Sequence, residues 1–170
     1  ETYRAETLFT KEAGTIEWLQ RSCREGDVVY DIGANIGLYT IVAASLIGRT
    51  GLVYAFEPHP PTADALLANV LLNDMASQVL IKAFPLHSGQ GFFHFNYNSK
   101  ESGSSGHQLG HTTSETGKEF TPAECLLMHA MTLDGLVETE VIRPADLVKL
   151  DVDGNELKIL FGARKFLAKT

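Results

Sequence analysis

Val29-Tyr30-Asp31-Ile32-Gly33-Ala34-Asn35-Ile36-Gly37 reads as a strand, a glycine-rich turn and the start of a helix. Ala55-Phe56-Glu57-Pro58, about twenty residues further on, reads as a second strand that ends in a carboxylate. That order builds a nucleoside-binding crevice at the carboxyl edge of a parallel sheet. The glycines decide which nucleoside. A dinucleotide fingerprint, Gly-x-Gly-x-x-Gly, lets backbone approach a pyrophosphate. Here the glycines are Gly33 and Gly37, position 35 is Asn, and Asp31 precedes the first glycine. The turn suits a ligand that has no phosphate and carries positive charge near Asp31. S-adenosylmethionine meets both conditions. A nicotinamide-dependent oxidoreductase is disfavoured, because its pyrophosphate turn is missing.

The flanking sequence extends the same alternation. Ile16, Trp18 and Leu19 give residues 10–23 a weak amphipathic pattern that Gly26 stops. Val28–Asp31 is the first strand. Leu38–Ile47 is apolar nearly all round, as in a helix buried against a sheet, and ends at Gly48. Gly51–Glu57 is the second strand. Pro60-Pro61 opens a helix in which Ala63, Leu66, Leu67, Val70 and Leu71 recur at helical spacing, with Asn73 as its stop. Val79–Ala83 is a third strand. The pattern β-α-β-α-β predicts a parallel sheet with covering helices.

The regularity then breaks. Phe93, Phe95 and Tyr97 alternate with polar residues, which predicts a strand over 91–97 with an apolar core-facing side. Residues 98–123, rich in Ser, Gly and Thr, read as a flexible insert or a cover over the acceptor. Leu126–Met131 is a strand, Leu133–Glu138 a short helix and Asp146–Val152 a buried strand. Asn155–Ala168 reads as one helix with Leu157, Leu160, Phe161 and Leu167 on its apolar side.

A chain of 170 residues is expected to form a single domain over 26–170, preceded by an N-terminal helical segment at 1–25. Lys and Arg number 14 against 21 Asp and Glu, a net charge of −7, which disfavours nucleic acid as a partner. Cys23 and Cys125 are too few for a disulfide framework, so a reduced, cytoplasmic setting is expected. No apolar run has transmembrane length, so membrane insertion is not expected. Glu1-Thr2-Tyr3-Arg4 is no signal peptide, and both ends read as cuts in a longer protein.

Three segments together, Asp31–Gly37, Phe56-Glu57-Pro58-His59-Pro60 and Lys149-Leu150-Asp151-Val152-Asp153-Gly154, resemble the FkbM-type methyltransferases. The match runs from about Gly26 to Gly162, and Thr132-Leu133-Asp134 resembles the family's segment before the strand that leads into Asp151-Val152-Asp153-Gly154. The resemblance implies a Rossmann-like class I methyltransferase fold, an α/β architecture with a mostly parallel sheet, here ending before the last strands of the family. It implies S-adenosylmethionine as cofactor and O-methylation of a hydroxyl on a sugar, polyketide or other small molecule. A cofactor-binding module without turnover is the alternative. Three positions depart from the family pattern. Asp153 stands where Glu is usual and His59 where Asn is common, and the loop Ala83–Ser88 lacks an acidic residue.

The expected cofactor-binding residues are Asp31, Gly33, Ala34, Asn35, Gly37, Glu57 and Pro58. Gly33 lets backbone approach the ligand, and Gly37 lets the helix start pack tightly. Asp31 faces the methionine ammonium, and Glu57 accepts from the ribose hydroxyls. Asp151 and Asp153 are the catalytic candidates, able to hold an acceptor hydroxyl or take its proton. Lys149, of the same parity, is expected to pair with Asp151. No full metal ligand set is visible, and a metal site is not expected. His107 and His111 read as solvated loop residues; His87 and His129 are weaker acid-base candidates. A small-molecule or glycan acceptor is the expected partner. The open sheet edge beyond 146–152 suggests self-association.

Overall fold

The structure, a computed structural model, describes residues 13–169; residues 1–12 of the expected N-terminal segment lie outside them. In chain order the elements are α1 (Ala13–Ser22), β1 (Val28–Ile32), α2 (Leu38–Ile47), β2 (Leu52–Phe56), α3 (Pro60–Leu72), β3 (Val79–Lys82), β4 (Gly91–Tyr97), β5 (Gln108–Leu109), β6 (Glu124–Ala130), α4 (Leu133–Glu138), β7 (Leu147–Leu150), α5 (Glu156–Phe161) and α6 (Arg164–Leu167).

Every residue of β1 is buried, because this strand sits inside a four-stranded parallel sheet of order β3-β2-β1-β7. Side chains alternate between the sheet's two faces. Val28, Tyr30 and Ile32 meet Tyr54, Phe56, Leu136, Ile159 and Phe166 on one side. Val29 meets Leu19, Ala44, Ile47, Val53, Leu66 and Val70 on the other. Helices α1, α2 and α3 therefore cover one face, and α4, α5 and α6 the other, which is the three-layer Rossmann-like arrangement. All four strands point the same way, so their carboxyl ends share one edge of the sheet, where such folds place ligands.

A second sheet, antiparallel and of order β5-β4-β6, leaves the main one after β3. It is tied back by the pairing of Leu86 with Met131 and by His87 N–H donating to the Met131 carbonyl at 2.9 Å. Its inner face carries Phe95, Tyr97, Leu109 and Ala130, all buried. Its outer face leaves Phe92 and Leu127 exposed. The alternation over 91–97 holds for Phe92 to Phe95. It fails at Asn96, which is buried and donates from Nδ2 to the His111 carbonyl at 2.7 Å.

The helix expected over Asn155–Ala168 is two helices, α5 and α6, separated at Gly162-Ala163. A side chain at Gly162 would stand 2.2 Å from the His87 carbonyl oxygen, so this point is pressed against the loop after β3. The Asp134 carboxylate accepts from the N–H groups of Lys165 and Phe166 and starts α6 there. The expected apolar side is corrected as well. Leu157, Leu160, Phe161 and Leu167 are exposed, and Ile159, Ala163 and Phe166 face the core. β7 is an edge strand, so the sheet ends beside these helices among the described residues.

Candidate functional site

The turn after β1 is built on Gly33. Its φ of 79° lies in the left-handed region, and a Cβ there would sit 1.9 Å from the Asp151 carbonyl oxygen. Only glycine permits both the conformation and the contact. The N–H groups of Gly33 and Ala34 donate to the Phe56 carbonyl at 3.0 Å each, which locks the β1 turn to the end of β2. Gly37 begins α2 in close contact with Leu66 of α3; a Cβ would stand 2.4 Å from its Cδ1.

Glu57 follows β2 and is buried. Its two oxygens accept from the backbone N–H groups of Asn35 and His59, each at 2.9 Å. Burial pushes its carboxyl up to about 7, against the two amide donors, which favour the charged form. A buried carboxylate beside a cavity is a strong acceptor for ligand hydroxyls.

Asp31 is placed differently from the expectation. It is 1 % exposed and does not line the cavity. Thr40 donates to Oδ2 at 2.6 Å, and the Lys149 ammonium lies 3.1 Å from Oδ1. Lys149 also donates to the Gly33 carbonyl at 3.0 Å. Its distance to Asp151 is 3.8 Å, so its main partner is Asp31 and not Asp151. The carboxylate thus works through Lys149 to hold the turn from beneath. This is the positioning role of a buried ion pair in which Oδ2 is hydrogen-bonded by Thr40 and Oδ1 faces the ammonium.

β7 is shorter than the strand expected over Asp146–Val152 and ends at Leu150, so Asp151 and Asp153 lie in the loop beyond it. Asp151 N–H donates to the Ile32 carbonyl at 3.0 Å, and its side chain stays largely exposed at the cavity rim. Asp153 sits in a left-handed turn, φ 54°, and accepts from Gly106 N–H at 2.6 Å.

Gly106 belongs to the segment 98–107, which lies across the carboxyl edge of the parallel sheet. Asn35 Nδ2 donates to the carbonyls of Gly103 and Ser104 at 3.4 and 3.3 Å, and Gly103 N–H donates to Thr62 Oγ1 at 3.0 Å. His107 is not the solvated residue that its Gly- and Ser-rich surroundings suggest. Its Nδ1 accepts from Asn98 N–H at 3.0 Å, so its proton is on Nε2, which faces Ser104 Oγ at 3.1 Å. Its ring lies 4.2 Å from that of His59, which is fully buried and meets Tyr97 edge-on at 4.5 Å. Burial, and then the neighbouring His107, lowers His59 to about 4; burial lowers His107 also, against the pull of Asp153. His111 is half-buried rather than solvated. His87 and His129 do not line the cavity.

The cavity gathers Gly33, Asn35, Glu57, Pro58, Asp151 and Asp153 from the expected set, and leaves Asp31, Ala34 and Gly37 in the supporting layer. Sequence reasoning missed Ser104, His107, Asn155 and the apolar wall of Phe84, Pro85 and Leu86. Asn155 directly follows the Asp153-Gly154 turn, a position from which a side chain returns to the carboxyl edge. The insert residues carried no comparable signal. The space measures about 100 Å³, below the roughly 300 Å³ that small-molecule sites start from. Ser104, Ser105 and His107 of segment 98–107 form part of its wall.

A family model described as the methyltransferase FkbM domain matches residues 31–170. The chain belongs to the FkbM methyltransferase family. It is 28% identical over 151 residues, 89% of its length, to a hexuronic acid methyltransferase, AglP, of Haloferax volcanii. It is 44% identical over 57 residues, 33% of its length, to the 31-O-demethyl-FK506 methyltransferase FkbM of Streptomyces tacrolimicus. The chain covers 56% of the first relative and 21% of the second. A solved S-adenosylmethionine-dependent O-methyltransferase of Thermotoga maritima shares 27% identity at a TM-score of 0.39, over 44% of this chain and 28% of that one. No helix among the described residues is long and apolar enough to cross a membrane.

Proposed function

We propose that this FkbM-family domain binds S-adenosylmethionine at the carboxyl edge of its parallel sheet and methylates a hydroxyl of a small-molecule or glycan acceptor. The observation that carries the reading is Glu57. It is a buried carboxylate at the end of β2, oriented by two backbone donors and lining a cavity whose floor is the Gly33 turn.

The residues fit the cofactor's chemistry. Glu57 offers acceptor oxygens for vicinal ribose hydroxyls. Phe84, Pro85 and Leu86 supply an uncharged apolar wall suited to an adenine ring. The carboxylates at the cavity complement a ligand that carries a sulfonium and an ammonium. When bound, the cofactor would supply a methyl group on a sulfur that is already a good leaving group. The protein's part is then alignment and exclusion of water. Asp151, at the rim beside the Gly33 turn, is the residue placed to orient an acceptor hydroxyl and receive its proton. Asp153 secures the segment above it. A sugar acceptor draws support from the name of the Haloferax relative, and a macrolide acceptor from that of the Streptomyces relative.

Calorimetric titration of S-adenosylmethionine into this chain and into Glu57→Ala tests the reading. Saturable binding is expected, weakened at least about tenfold in the variant, or about 1.4 kcal/mol. Absence of binding, or equal binding by both proteins, overturns it.

A further inference from the structure

The outer face of the antiparallel sheet carries a side-chain pair that the site at the carboxyl edge does not use. β4 and β6 pair with Asn96 opposite Cys125 and His94 opposite Leu127, so His94 and Cys125 are diagonal neighbours on one face. Cys125 Sγ and His94 Nδ1 lie 3.3 Å apart. With the ring proton on Nε2 the thiol donates to Nδ1; with it on Nδ1 the ring donates to sulfur. Both side chains are exposed, and neither belongs to the buried cluster of this sheet.

Cys23 supplies an internal contrast. It is buried in the core beneath α1, and burial, then Asp27, pushes its thiol up, as suits a cysteine that serves packing. Cys125 has no such cover. The charged and titratable groups around the pair are Glu124, which Lys100 holds at 2.9 Å, and His129, whose ring meets that of Phe92 at 5.0 Å. The pair stands outside the cavity at the carboxyl edge, on a face flanked by exposed Leu127 and Phe92. A hydrolytic triad adds a third group that orients the base. Among the described residues Cys125 is the one side chain that hydrogen-bonds His94. The chemistry left to an open thiol with an adjacent base is attack on a small soluble electrophile.

We propose that Cys125, with His94 as its base, is a site of mixed-disulfide formation with low-molecular-weight disulfides. Sγ attacks one sulfur of the disulfide as its proton passes to His94 Nδ1. A bond forms between Sγ and that sulfur, the original S–S bond breaks, and the second sulfur leaves as a thiolate that takes up the proton from the imidazolium. Cys125 is oxidised and the departing thiol is reduced, so the disulfide itself is the oxidant. The site is independent of the methyltransferase reading.

The test treats the reduced chain with oxidised glutathione, locates the adduct by peptide mass mapping and measures its rate of formation. Modification of Cys125, with Cys23 left free, is expected. His94→Ala is expected to slow the reaction at least about tenfold at about pH 7. At about pH 9.5, where free thiols ionise unaided, the two proteins should agree within about twofold. A variant as fast as the wild type at both pH values overturns the proposal, because exposure alone then accounts for the reaction. Absence of an adduct at Cys125, or reaction of Cys23 at a comparable rate, also overturns it. A comparison without any substitution stands even if His94→Ala does not fold. Native Cys125 is expected to react at least about tenfold faster at about pH 7 than the same thiol in the urea-unfolded chain, where the strands no longer bring His94 to it; equal rates overturn the pairing.

Discussion

The two sheets meet the ligand edge by different means. At the tips of the parallel sheet, one interlocked set comprises the Gly33 turn, the Asp31–Lys149 ion pair beneath it and the Glu57 carboxylate beside it. Asp31 and Glu57 are buried, and the Gly33 turn, Lys149 and Glu57 each hold a backbone partner. The antiparallel sheet has an apolar inner face and an outer face of exposed Phe92 and Leu127. Its adjoining segment is held at the site by the Asn35 amide, which donates to it, and by Thr62 and Asp153, which accept from its N–H groups. The difference predicts that the first region is a rigid foundation and the second a cover whose contacts release without unfolding the core.

The largest expected effect strikes the foundation. Gly33→Ala places a methyl within 1.9 Å of the Asp151 carbonyl in a left-handed backbone, and is expected to cost about 4 kcal/mol or more. Urea denaturation measures it, and a loss under about 1 kcal/mol would break the distinction. Lys149→Met comes next, since it strands the buried Asp31 carboxylate, at about 3–5 kcal/mol. The double variant Asp31→Asn, Lys149→Met should recover much of that loss. If it does not, the pair is more than mutual compensation.

Acid should loosen the cover before the foundation. His59 and His107 have folded values below their ordinary 6.5, His59 at about 4. The released segment then binds more protons than the closed one. The closed arrangement keeps its full stability above about pH 6.5 and loses it progressively toward pH 4. Limited proteolysis within 98–107 is expected to accelerate from pH 7 to pH 5 while the main unfolding transition stays cooperative. Unchanged cleavage would count the histidine pair out as the holding element. Leu127→Ser, on the outer face, is the smallest effect, within about 0.5 kcal/mol in thermal unfolding.

The foundation was legible because its constraints are local. The Gly33–Gly37 spacing, the acid after β2 and the proline-started α3 each state their geometry within a few residues, and β1, α2, β2, α3 and β3 stand where periodicity puts them. The cover was not legible, because its contacts are long-range. Nothing around His107 announces a ring 4.2 Å from His59, and no local signal pairs Gly106 with Asp153. Periodicity also misled at α5 and α6. A helical stripe of Leu157, Leu160, Phe161 and Leu167 reads as the core side, yet Ile159, Ala163 and Phe166 are the residues that meet β1. An edge strand leaves both sides of the neighbouring helices apolar, and a pattern of period 3.6 cannot choose between them. Asp31 shows a third limit. The spacing put it at the turn correctly, but only the fold reveals that Lys149 and Thr40 already occupy its oxygens.

Thr62 Oγ1 accepts from Gly103 N–H and lies 2.7 Å from His59 Nδ1, so one hydroxyl joins the cover to the residue whose amide orients Glu57. On the proposed function, that hydroxyl separates admission from retention. A gate at Gly103 predicts that arrival of a nucleoside-sized ligand becomes first-order at high concentration, with a ceiling set by Thr62, while departure carries the signature of Glu57. A stopped-flow trace from a Thr62→Val protein would show that ceiling rise while the residence time stayed where it was.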